Sequence, residues 1–163
     1  MVEVFSDRIE ITNPGTPLID VSRFLDMPPR SRNEKLARIM RRLGICEERG
    51  SGIDRVLKHV EMFQLPAPDF QVIGEHTKAI LYGPKAFSDM TKSERIRACF
   101  QHAGLRSISN QQMTNESLRV RFGFEQPAQA TRIITDTLAE GLIKPYDPSS
   151  TSKRHARYIP YWA

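Results

Sequence analysis

Apolar positions two apart open the chain: Val2 and Val4, then Ile9 and Ile11, with Asp7-Arg8 between the pairs. That period of two predicts a short hairpin. Asn13-Pro14-Gly15 closes it, because proline cannot donate to a sheet ladder and glycine tolerates positive φ. A loop with room for one short helical turn runs to Pro29, and the period then changes. Leu36, Ile39, Met40 and Leu43 fall at i, i+3, i+4 and i+7, one stripe of an amphipathic helix whose other faces carry Lys35, Arg38, Arg41 and Arg42. Gly44 suits its left-handed cap. After Glu47-Glu48-Arg49-Gly50-Ser51-Gly52, a second stripe begins at Ile53, Val56, Leu57 and Val60, with Ser51 and Asp54 spaced as a capping box. Pro66 and Pro68 stop that helix, and Phe70-Gln71-Val72 and Ala79 to Tyr82 read as two strands around a turn at Gly74.

The rest of the chain is mainly helical. Thr91 and Glu94 form a capping box ahead of a face made by Ile96, Cys99, Phe100 and Ala103. Thr114 caps a short helix holding Leu118 and Phe122, stopped at Gly123. Pro127 is placed as the first residue of a third helix with Ala130, Ile133, Ile134, Thr137 and Leu138 as its inner side and Gly141 as its end. Leu142-Ile143 and Tyr158-Ile159 flank a polar, basic loop from Lys144 to Arg157 and predict a two-stranded ribbon. Three helices and a hairpin, with a short turn between the second and third helices, describe a winged helix-turn-helix. The fold class is therefore α+β, divided at the Gly-Pro breaker in Tyr82 to Asp89 into residues 1–86 and residues 87–163.

Composition narrows the function classes. The chain has 163 residues, 39% apolar and 26% charged, with a net charge of +5, as a globular protein of one medium or two small domains would. No apolar run is long enough to span a membrane, and the first residues lack the basic-then-apolar order of a signal peptide. Cys46 and Cys99 are too few for a disulfide scaffold, and no spacing suggests zinc, so the expectation is a cytoplasmic protein with buried free thiols. The charge is uneven: residues 1–86 hold 13 basic and 12 acidic side chains, residues 87–163 hold 11 and 7. A basic second half directs attention to polyanions.

In a winged helix the third helix enters the major groove. Its outer side here offers Gln129, Thr131, Arg132, Thr135 and Asp136. Gln129 and Arg132 suit adenine and guanine edges, and Thr135 suits a phosphate or a thymine methyl. Lys144, Lys153, Arg154, His155 and Arg157 on the ribbon could track phosphates. Double-stranded DNA is the expected partner. A protein-docking or homodimerisation module stays open, because one arginine is a thin recognition surface and Asp136 opposes phosphate; Tyr158, Tyr161 and Trp162 are its candidate apolar contacts. Gly50-Ser51-Gly52 before a helix could cradle a phosphate but matches no longer nucleotide fingerprint. The four histidines show no ligand spacing, and no nucleophile triad is evident.

Taken in order, Asp7 to Gly15, Ser31-Arg32-Asn33, Ile39 to Gly44 and Glu47 to Ile53 resemble the RecG-related ATP-binding transcriptional regulators of bacteria and archaea, a family also described as related to ATP-dependent DNA helicases. The resemblance runs from residue 1 to about residue 83, and residues 90–163 are similar to the winged-helix tail of that family. It implies that the first half is the C-terminal part of a GHKL-like ATPase domain, an α/β sandwich commonly preceded by a Schlafen/AlbA-type domain. Asn13 and Gly15 would then lie at the adenine-side glycine box, and Gly50 and Gly52 at the phosphate-side box. The family's asparagine-bearing helix, which anchors magnesium and phosphates, should precede Val2. The resemblance therefore implies a C-terminal fragment of a longer protein. ATP and magnesium would belong to that whole protein, with no cofactor and no turnover expected of these residues alone.

Overall fold

Two separate antiparallel sheets organise the chain in a computed structural model that describes residues 1–45, 51–149 and 155–163. The first sheet has the order β1-β2-β4-β3. Its strands are β1 (Val2–Val4), β2 (Arg8–Pro14), β3 (Asp69–Ile73) and β4 (His76–Tyr82). The expected hairpin and the Gly74 turn, at φ +56°, are both present. The long-range pairing of β2 with β4 carries Pro14 into the ladder opposite His76, one step beyond the expected end of the strand. Directly paired residues share a face. One face is thus apolar, with Val2, Ile11, Ala79 and Phe70 in one row and Val4, Ile9 and Leu81 in the next. The other face carries Glu3, Glu10, Ile80 and Asp69, and Glu10 is held there by Lys78 (2.6 Å) and Arg8 (2.7 Å).

Between the two hairpins lie a 3₁₀ turn at Val21–Arg23, the helix α1 (Glu34–Arg42) and the helix α2 (Ser51–Met62). Asn33 caps α1 by accepting from the Leu36 N–H, and Gly44 takes the left-handed conformation after it (φ +69°). The stripe Leu36, Ile39 and Leu43 faces solvent, and α1 buries no residue. Helix α2 begins at Ser51 itself, so Ser51 is not the residue before it; Cys46, Glu47, Glu48, Arg49 and Gly50 lie outside the described residues.

In the second half, α3 (Lys92–Ile108), β5 (Met113–Thr114), α4 (Asn115–Phe122), α5 (Pro127–Ala139), β6 (Ile143–Pro145) and β7 (Arg157–Pro160) follow in order. The expected capping box of Thr91 with Glu94 forms, and Thr114, expected as a cap, makes a second box with Ser117. Gly123 and Gly141 adopt positive φ (+70° and +69°) where α4 and α5 end. The ribbon is three-stranded, in the order β5-β7-β6. The extra strand is two residues long, too short to show a period. Cys99, Ala103, Met113, Leu118, Ala130, Ile133, Ile134 and Ile143 form one buried cluster with Phe87, Phe122, Phe124 and Tyr158 against it. Burial pushes the Cys99 thiol up to about 12 against a smaller opposing hydrogen bond with Thr137, as a structural thiol requires. No helix among the described residues is long and apolar enough to cross a membrane.

Candidate nucleic-acid interface and the junction behind it

Proline fits the first turn of α5 because the N–H it lacks has no intrahelical acceptor there. Period 3.6 then sends Ala130, Ile133, Ile134 and Thr137 into the core and leaves Gln129, Arg132 and Thr135 exposed on the opposite side. Asn115, the first residue of α4, donates from one amide to Thr131 Oγ1 (2.9 Å) and to the Pro127 carbonyl (3.0 Å), which fixes the start of α5 against α4. The Thr135 hydroxyl donates back to the Thr131 carbonyl (2.9 Å), leaving its oxygen as an acceptor. Asp136 pairs with Lys92 of α3 at 3.1 Å, so its charge is countered locally.

On the ribbon, Lys144 and Arg157 are exposed, and the Arg157 guanidinium lies 5.9 Å from the Tyr146 ring centre. Neither they nor Arg132 form an ion pair among the described residues. Lys153 and Arg154 lie outside the described residues. The aromatic residues offered for docking are spread differently. Tyr158 packs on the core, Trp162 is half-buried, and Tyr161 stacks on Phe100 (6.0 Å) and hydrogen-bonds Ser22 (2.9 Å).

The two halves meet through polar groups that the sequence did not reveal. His102 of α3, 5% exposed, donates from Nδ1 to the Glu61 carboxylate of α2 (2.9 and 3.1 Å), while its Nε2 lies 3.0 Å from Ser117 Oγ. Arg121 is buried in α4, with Nε 3.6 Å from Glu61 and Nη2 donating to the Leu65 carbonyl (2.6 Å). Burial lowers the Arg121 guanidinium pKa, and the Glu61 charge opposes that shift. Arg97 joins Asp69 (3.3 Å) and the Ala67 carbonyl (3.2 Å), and Gln101 donates to the Pro68 carbonyl (2.8 Å). Glu61, His102 and Ser117 have the order of a hydrolytic triad, yet Ser117 Oγ accepts the Thr114 N–H and donates to the Thr114 carbonyl (3.0 Å each). That hydroxyl completes a helix cap, so the cluster is a structural tie. Its one sequence signal is that His102 falls on the apolar side of α3, three residues after Cys99.

In the first half, Asn13 is an exposed ladder residue paired with Thr77. Gly15, at φ +97°, donates its N–H to the Glu75 carbonyl (2.6 Å) and accepts at its own carbonyl from Thr77 Oγ1 (2.7 Å). Arg32 closes over this turn by donating to the Thr16 carbonyl. Gly52 sits in the first turn of α2 with open space beside it, and Gly50 lies outside the described residues.

Residues 1–81 match the family model described as "Putative ATP-dependent DNA helicase recG C-terminal". This stretch is a RecG-related, ATPase-like region. No curated protein matches the chain significantly. Among solved structures, the DIP2311 protein from Corynebacterium diphtheriae is similar at 14% identity and a TM-score of 0.45, over 94% of this chain and 44% of that one. The chain therefore spans less than half the length of that protein.

The RecG-related region can be tested for fit to a magnesium nucleotide. A phosphate cradle needs backbone N–H groups that point outward and are free. Gly15, expected on the adenine side, has its N–H and carbonyl both hydrogen-bonded to the neighbouring turn and strand, and Gly52, expected on the phosphate side, lies in the first turn of α2. No three His, Cys, Asp or Glu side chains among the described residues gather as metal ligands.

Proposed function

We propose that the chain is part of a transcriptional regulator in which residues 87–163 act as a winged helix-turn-helix, laying α5 in the major groove of duplex DNA with the β6–β7 ribbon along the backbone. The observation that carries this reading is the two-sided character of α5. Its apolar face is committed to the core, while Gln129, Arg132 and Thr135 stay exposed beside an Asp136 already matched by Lys92. Arg132 has the fork needed for a guanine edge, Gln129 has the amide for adenine, and Lys144 and Arg157 supply phosphate contacts. The RecG-related region at residues 1–81 is consistent with such a regulator. Under this proposal ATP and magnesium belong to a longer protein, and the present residues turn over none.

Titration of the chain with duplex DNA at two salt concentrations tests the reading. Affinity should fall steeply with salt, and Arg157→Ala should lower the slope of log K against log salt by about 1. Arg132→Ala should cost about 1–3 kcal/mol on a preferred sequence and less on others. Equal affinity in both variants and the parent chain would exclude the assignment.

A second reading, a protein-docking module, has its own support in the first half. Val2, Val4 and Ile9 are exposed apolar residues on β1 and β2, and Leu36, Ile39 and Leu43 are exposed on α1. A mass that doubles with concentration in light scattering, and reverts with Val4→Glu, would favour a homodimer there.

A further inference from the structure

A cavity of about 720 Å³ opens where the RecG-related region meets the second half. Its walls come from both parts: Phe24 and Phe70 on one side, Phe100, Ile96 and Trp162 on the other, with Leu57 of α2 between. Phe24 and Phe70 meet edge to face at 5.5 Å, which fixes one wall as a rigid aromatic corner. Size and lining fall within the range of sites that enclose one small molecule, and such sites orient their ligand through a few polar groups set in apolar walls. Here the lining sets Ser93, Arg97 and Gln101 of α3 beside the aromatic walls. Arg97 and Gln101 are themselves held by Asp69 and by the carbonyls of Ala67 and Pro68, which fixes the shape of that wall.

We infer that this inter-half cavity binds one neutral, planar aromatic small molecule. The electrostatics select against charge. Arg97 is matched by Asp69 (3.3 Å) and Lys92 by Asp136 (3.1 Å), while Glu140 on the rim has no cationic partner among the described residues. An anionic ligand would find both cations committed and an uncompensated carboxylate nearby, and burying an unpaired charge is strongly unfavourable. A neutral ring system meets the aromatic walls and brings no charge of its own into the cavity. The site also touches the end of α5 through Glu140 and the start of the ribbon through Leu142, so its occupant contacts the elements that the DNA reading uses. Binding itself is independent of whether α5 meets DNA.

Trp162 is the chain's single tryptophan and reports directly on the cavity. Titrating the full chain with N-phenyl-1-naphthylamine, a neutral fluorescent diaryl amine, should give saturable binding of one probe per chain with quenching of Trp162 emission. The anionic analogue 8-anilinonaphthalene-1-sulfonate should bind at least about tenfold more weakly. Ser93→Phe, at an exposed position on the cavity wall, should weaken the neutral probe by about tenfold or more, and Phe100→Ala, which removes one aromatic wall, should weaken it by several-fold. Lys35→Ala on α1 should leave it unchanged. Non-saturating binding, equal affinity for the two probes, or unaltered affinity in whichever of the Ser93 and Phe100 variants melts like the parent would overturn the inference.

Discussion

Where α3, α4, α5 and the small sheet converge, eight residues from Cys99 to Ile143 form a cluster with each member 4% exposed or less. In residues 1–86 the buried apolar side chains among those described are Leu57, Pro66, Ala67, Pro68 and Ile80, with no comparable single cluster. Both parts have amphipathic elements with clear periods, but only the second closes its apolar faces on one another. In the first, Val4 is 77% exposed and Leu43 67%. A sheet or helix with one apolar face needs a second layer against it. Periodicity therefore identifies the face to be covered and is silent about what covers it. The first half gains much of its anchorage from the junction, where Glu61, Asp69 and the carbonyls of Leu65, Ala67 and Pro68 receive Arg121, His102, Arg97 and Gln101 from the second.

The contrast can be broken most forcefully in the second core. Leu118→Ala should lower stability by about 2–5 kcal/mol in urea unfolding, because the side chain is fully buried and its neighbours close only partly over the gap. Glu61→Gln comes next. Arg121, whose side chain is 1% exposed, would lose its anion, at a cost on the order of 2 kcal/mol, discounted because Glu61 is itself 23% exposed. If the halves were independently stable, that variant would lose each half's signal where the parent does, whereas dependence of the first half on the junction predicts earlier loss of its sheet signal.

Acid titration reaches both halves more gently. Lys78 and Arg8 hold the Glu10 carboxyl below its usual range. Burial pushes the Glu94 carboxyl up, but hydrogen bonds from Lys85 and Thr91 outweigh it and hold the group low. A carboxylate with a depressed folded pKa stabilises the fold above the ordinary carboxylate pKa of about 4.3, and that contribution is lost as pH falls through the folded value. Stability should thus be flat from neutrality to about pH 5 and decline below it, and Glu94→Gln should flatten the decline. The smallest effect is expected at α1: Leu36→Ala should change stability by less than about 0.5 kcal/mol, since Leu36 is 52% exposed. A loss there as large as at Leu118 would mean that α1 is covered in solution, and the comparison between the halves would fail.

The candidate interface was legible to the extent that it is local. Pro127, the inner stripe of α5 and Gly141 set which side chains of that helix turn outward, and Gln129, Arg132 and Thr135 are where the period puts them. The Lys92–Asp136 pair was not legible, because its members lie on different helices. Nor was the His102 tie, whose carboxylate partner is 41 residues away.

Helix starts at Thr91 and Thr114, helix ends at Gly123 and Gly141, and the turn at Gly74 follow from the chain alone, because caps and turns are made by residues within four or five positions of each other. Tertiary structure alone decided that β2 pairs with β4, that Met113–Thr114 becomes a third ribbon strand, that the α1 stripe faces solvent and that a cavity opens at the junction of the halves. Those outcomes depend on which distant surfaces meet, and contact between distant segments is a property of the packed chain that no short-range period encodes.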